Sequence, residues 1–167
     1  LELVDLEMPL PSEGQVLVRI AYAGICKSQL MEIDGLRGVD QYLPHLLGHE
    51  AAGVVEEVGS GVSKVKPGDH VVISWIRGTG LSAPGPKLSD FTTQINAGQV
   101  TTFSELAMVS ENCTFPIPHN FPLKTAPVTL FRIDRDMDPS NSTGLRIVIS
   151  RGDSISAPNH FQGNTAT

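Results

Sequence analysis

With 167 residues, 40% of them hydrophobic and 18% charged, the chain is long enough to bury one sizeable core, and one domain with an appendage is the natural expectation. Its 18 acidic against 12 basic residues leave a net charge of −6 with no basic run, which argues against nucleic acid or an anionic membrane as a main partner. No run approaches the ~18 apolar residues of a membrane span, no charged-then-apolar leader opens the chain, and two cysteines are too few for a secreted disulfide scaffold, so a reducing, cytoplasmic home is expected.

The sequence opens at Leu1 inside a strand-like run, which suggests an excised fragment. "GQVLVRIAYAGIC" (14–26) alternates Val16, Val18 and Ile20 with Leu17, Arg19 and Ala21, the period of a half-buried strand. "SQLMEIDG" (28–35) reads as a short helix stopped by Gly35. "AAGVVEEVG" (51–59) and "GDHVVIS" (68–74) are two further strands, joined through a Pro67-Gly68-Asp69 turn in which proline presets φ and glycine admits positive φ. "RGTGLSAPGPKLSDFTT" (77–93), rich in Gly, Pro and Ser, reads as a long surface loop, and "TTFSELAMVSENCTFPIP" (101–118) as a strand-loop-strand unit. Short strands at near-regular spacing with turn residues between them predict a mainly β chain folded as a closed or partly open barrel with few helices.

Chemistry concentrates at two strand ends. Cys26 closes the first strand, and His49 with Glu50 opens the next 23 residues later, so a barrel could bring thiol and imidazole together. Cysteine and histidine are ligands that zinc prefers, but a lone cysteine is equally at home as a small hydrophobe and a lone histidine as surface or core filler. Spacing alone leaves this open. His45 and His70 read as partly exposed or satisfied in the core, His119 and His160 as turn residues with no partner in view, Cys113 as structural and Trp75 as core or interface filler.

"GHEAAGVVEEVGSGVSKVKPGDHVV" (48–72) resembles the zinc-binding segment of the zinc-dependent alcohol dehydrogenases of the medium-chain dehydrogenase/reductase family. "AGICKSQL" (23–30) resembles the family's other zinc segment, and 8–20 and 95–123 resemble its flanking strands. The resemblance implies a GroES-like, partly open β-barrel over 1–128. It implies zinc held by Cys26 and His49, with Glu50 beside the metal, and NAD or NADP in the parent enzyme as hydride carrier. Ser28 matches the hydroxyl that passes on the substrate proton, and Lys27 a position that can touch the cofactor's phosphates. The substrate would be a small alcohol or carbonyl compound. A face left open for a cofactor domain would favour self-association.

The departures are as specific. The family's third zinc ligand should fall near Thr129 to Phe131, where "VTLFRID" offers none, and Gln29 stands where an acidic residue is usual. Met31 replaces a frequent histidine, and 74–94 lacks the four cysteines of the family's structural-zinc lobe. Residues 129–167 diverge, with "TGLRIVIS" (143–150) as one returning strand and no glycine fingerprint of a Rossmann domain. Two expectations follow: the catalytic-domain portion of a zinc-dependent alcohol dehydrogenase, inactive by itself, or a metal-free GroES-like binding or assembly module.

Overall fold

The structure is a computed structural model that describes residues 1–126. Period-two alternation builds its centre. In β1 (Gln15–Ala23), Val16 and Val18 are wholly buried while Arg19 is exposed, and β1 lies between two antiparallel neighbours, β2 (Glu50–Val58) and β6 (Leu106–Ser110). β2 pairs with β3 (His70–Ser74), and β3 with β7 (Thr114–Pro116), giving the antiparallel order β6-β1-β2-β3-β7. The helix α1 spans Lys27–Ile33.

The sheet is mostly small and β-branched because it is covered on both sides. Ala51, Val71 and Ile73 join Val16, Val18, Val55, Ala107 and Val109 in one cluster. Their neighbours Ala52 and Val72 join Ala126, packed by Phe115, Phe121 and Leu123, in another. Register shifts in β1 against β2, between Leu17 and Val18 and between Ile20 and Tyr22, add the local twist that bends a sheet. The bend is large. β6 and β7 are the two outer strands, yet only a 3-10 turn, Glu111–Cys113, separates them in the chain. The sheet therefore curls until its edges nearly meet, and a partly open barrel results.

Loops seal the gap between those edges. Asn112 accepts from Gly78 N–H and donates its own N–H to Leu81, while the Ser110 hydroxyl accepts from Ala83 N–H and donates to the Leu81 carbonyl. Glu111, only 1% exposed, accepts the main-chain N–H groups of Ser63, Lys64 and Leu81 at 2.7, 2.7 and 2.6 Å. The turn at 66–69 also forms as its residues dictate: Gly68 takes φ +91°, and Asp69 accepts from Lys66 N–H.

Two expectations are corrected. The 77–93 stretch is more than a surface loop, because β4 (Lys87–Ser89) pairs with β5 (Gln94–Asn96), and Leu88, Ile95 and Ala97 bury a third cluster against Leu6, Met8 and Leu46. Residues 1–10 form no strand beyond a single bridge from Glu7 to Ser89, since Pro9 and Pro11 lack the N–H a ladder needs. Of the two places expected for Trp75, core or interface, the core is ruled out. The residue is 60% exposed, and lines an open cleft of about 810 Å³ with Ile76, Arg77, Gln99, Val100 and Cys113. Among the described residues no helix is long and apolar enough to cross a membrane. The expectations for 129–167, including the third ligand position and the returning strand at 143–150, lie outside the described residues.

Candidate functional site

Antiparallel pairing sets the site's position. Ala23 at the end of β1 faces Ala51 near the start of β2, and Gly24 N–H donates to the Glu50 carbonyl at 3.0 Å. Cys26 and His49 therefore leave the sheet at the same end. Cys26 caps the first turn of α1 and is half-buried, its successor Lys27 is exposed, and Ser28 is half-buried. Both cysteines are free thiols, and Cys113, buried, has its thiol pushed up by burial, as a structural cysteine would.

Gln29 has a role the sequence did not reveal. Its side-chain oxygen accepts the Cys26 N–H at 2.9 Å, so it fixes the turn that presents the thiol. The residue is 2% exposed, and its amide nitrogen has no hydrogen-bond partner.

His49 and Glu50 are both half-buried, and burial shifts both towards their neutral forms: the imidazole down, opposed by the charge of Glu32, and the carboxyl up. A neutral imidazole is the ligating form. The Glu50 side chain lies against Gly24, where an added Cβ would stand 2.8 Å from its Cγ.

Gly48 holds this corner. It takes φ +95°, and the N–H groups of Thr102 and Phe103 both donate to the Leu47 carbonyl, at 3.1 and 3.0 Å. A Cβ on Gly48 would stand 2.8 Å from the Phe103 nitrogen. Gly48→Ala is thus expected to lower stability by about 3 kcal/mol or more, through strain and a backbone clash together. Chemical denaturation checks this, and an unchanged midpoint would contradict it.

A second cluster escaped the sequence reading. Glu32 of α1, Asp40 and His45 hold ligand atoms within 4.8 Å of one another. His45 Nε2 lies 2.6 Å from Asp40 Oδ2 and 3.6 Å from Glu32 Oε1, while its Nδ1 donates to the Leu46 carbonyl at 2.8 Å. Burial alone would depress the His45 pKa, but the hydrogen bonds to Leu46 and Asp40 outweigh it and raise the value. Glu32, Asp40 and His45 sit 8 and 5 residues apart across a glycine-broken stretch, so no periodicity announced them. Among the described residues this is the one such group of three. Cys26, His49 and Glu50 do not form another at that spacing. His119, expected to lack a partner, has one: its ring centroid lies 4.6 Å from that of His70.

Comparison with known proteins places the sequence and the fold in one family. Residues 12–119 match the alcohol dehydrogenase GroES-like domain. The chain is 37% identical over 149 residues to an NDMA-dependent alcohol dehydrogenase of Amycolatopsis methanolica, covering 75% of this chain and 40% of that protein. It is 46% identical over 72 residues to an S-(hydroxymethyl)glutathione dehydrogenase of Photobacterium damsela subsp. piscicida, covering 43% of this chain and 19% of that protein. Its fold matches the crystal structure of an alcohol dehydrogenase zinc-binding domain protein from Burkholderia ambifaria, with TM-score 0.62 and 27% identity over 71% of this chain and 39% of that one. The chain thus spans well under half the length of these relatives.

Proposed function

The chain belongs to the alcohol dehydrogenase GroES-like domain family, and on that premise we propose that it is the catalytic-domain portion of a zinc-dependent, nicotinamide-linked alcohol dehydrogenase, interconverting an alcohol with its aldehyde or ketone. The observation that carries the reading is the Gly24–Glu50 contact, which sends the Cys26 turn and the His49–Glu50 segment out of one end of the sheet.

The donors suit zinc chemically: a free thiol, an imidazole kept neutral by burial, and a half-buried carboxyl. Cys26 and His49 are the proposed ligands, with Glu50 approaching from the strand that carries it. When bound, zinc supplies Lewis acidity and NAD or NADP the hydride carrier. The chain's own residues supply the rest. The Ser28 hydroxyl, two residues beyond Cys26 in the first turn of α1, takes the substrate proton onward. The exposed Lys27 ammonium is free to meet the cofactor's phosphates. Gln29 holds the Cys26 turn in place, where the family's usual acid would orient a ligand. Self-association through the exposed Leu36, Val39, Tyr42 and Leu43, in a cytoplasmic setting, belongs to the same reading.

The 167-residue chain by itself is expected to be inactive even with zinc and NAD supplied. Holding a nicotinamide against substrate can be worth on the order of 7 to 11 kcal/mol of barrier, and the sequence carries no glycine turn in a strand-helix context to do it. Fusion to the cofactor domain of the Amycolatopsis relative, with a cysteine introduced near Leu130, should restore NADH production, and Ser28→Ala should reduce it. Zinc-dependent NADH production by the unmodified chain, abolished by Cys26→Ala, would overturn the expected inactivity. A folded fusion that binds zinc and NAD yet never turns over an alcohol would overturn the enzymatic reading.

A further inference from the structure

We propose that Glu32, Asp40 and His45 form a binding site for a divalent transition cation that fastens the 34–45 stretch to helix α1. The three side chains come from separate places: the body of α1, a stretch without regular secondary structure, and the residue bridged to Asn96 beside β5. That they converge within 4.8 Å is a product of the fold alone.

The donor set defines the ligand. One imidazole nitrogen with two carboxylate oxygens suits manganese, cobalt or zinc, whereas calcium takes oxygen ligands. His45 is also oriented as a ligating histidine is: Nδ1 is tied to the Leu46 carbonyl, so Nε2 faces both carboxylates. Asp40 is similarly divided. Its Oδ1 accepts the Tyr42 N–H, and its Oδ2 is turned towards His45.

Exposure is graded correctly for an exchangeable ion. The side chains of His45, Asp40 and Glu32 are 14%, 22% and 29% exposed, sheltered enough to hold their geometry and open enough for water to complete the coordination. Among the described residues Arg37 is the one arginine paired with the cluster, 3.8 Å from Glu32, and the hydrogen bonds to Leu46 and Asp40 favour a proton on His45. A divalent cation would take the place of the imidazole proton. It would also give the stretch 34–45, whose Leu36, Val39, Tyr42 and Leu43 are exposed, a fixed anchor. The site is independent of the zinc function proposed for Cys26 and His49.

Cobalt(II) titration of the full chain separates the two. A site with Cys26 gives a thiolate-to-cobalt charge-transfer band in the near ultraviolet; a site of one imidazole and two carboxylates gives only weak visible bands. In the Cys26→Ala/His49→Ala chain the charge-transfer band should vanish while one cobalt still binds saturably. Asp40→Asn and His45→Gln in that background should each weaken this binding at least tenfold. In the chain without these changes, substoichiometric manganese should broaden the His45 ring resonances ahead of those of His70 and His119. No saturable cobalt binding to the double variant, unchanged affinity in folded Asp40→Asn and His45→Gln chains, or broadening centred elsewhere would overturn the proposal. Loss of the charge-transfer band from the unmodified chain would instead count against the zinc site alone.

Discussion

Replacing Glu111 with alanine is expected to cost about 2 to 3 kcal/mol of unfolding free energy, a large effect for a substitution outside the hydrophobic clusters. The carboxylate takes three main-chain N–H groups, from Ser63, Lys64 and Leu81, in a place only 1% exposed. Alanine would take the acceptor from all three donors, and although Ser63 and Leu81 are exposed and Lys64 half-buried, the wholly buried place of the carboxylate would be left empty. It would also cut the side-chain tie between the 63–64 and 81 segments, while the main-chain bond from Glu111 N–H to Gly14 is kept. Glu111→Gln keeps the shape but removes the charge and turns a donor towards donors, so an intermediate loss is expected.

The same group predicts a pH dependence. Burial would raise the Glu111 pKa, but the N–H groups of Leu81, Ser63 and Lys64 and the Lys64 charge overcome it and hold the value below its ordinary 4.5. The unfolded chain therefore binds the proton more readily. Stability from this group is fully present above about pH 4.5 and is lost as the pH falls through the lower folded value. Urea midpoints across this range should fall for the unmodified chain and stay flatter for Glu111→Gln. Parallel curves would contradict this.

Removing a zinc ligand should have the other large effect. Cys26→Ala or His49→Ala is expected to weaken zinc binding at the barrel end by more than roughly 100-fold, because even partners that merely orient a ligand are worth 10 to 100-fold. The fold should survive, since both residues are half-buried and lie outside the clusters that hold the sheet. Competition against a chromophoric chelator measures the loss. Equal affinity in Cys26→Ala, His49→Ala and the unmodified chain would remove both residues from the metal site.

Local patterns in the sequence were the most readable. β1 follows from alternation among neighbours a few residues apart, β2 and β3 from short β-branched apolar runs between turn residues, and the 66–69 turn from proline and glycine chemistry. Glu111 was silent because its three partners lie 48, 47 and 30 residues away, and an acid in "SENCTF" looks like any exposed loop acid. The β4–β5 hairpin was hidden for a related reason: each strand has three residues, too few to show a period, and the Gly and Pro around them dominate the local signal. At the candidate site, residue type and family resemblance singled out Cys26, His49 and Glu50. Gln29 read as a weaker substitute for an acid, and only the folded turn shows its oxygen on the Cys26 N–H.

The central claim is that Cys26 and His49 hold one zinc together, which requires their donor atoms to be drawn into a common sphere. X-ray absorption at the zinc edge, on the full chain loaded with one equivalent and carrying Asp40→Asn to silence the competing cluster, tests it most directly. One sulfur at about 2.3 Å with nitrogen or oxygen at about 2.0 to 2.2 Å is the predicted shell, and the sulfur should disappear in Cys26→Ala. A shell of nitrogen and oxygen alone, unchanged by Cys26→Ala, would contradict the account.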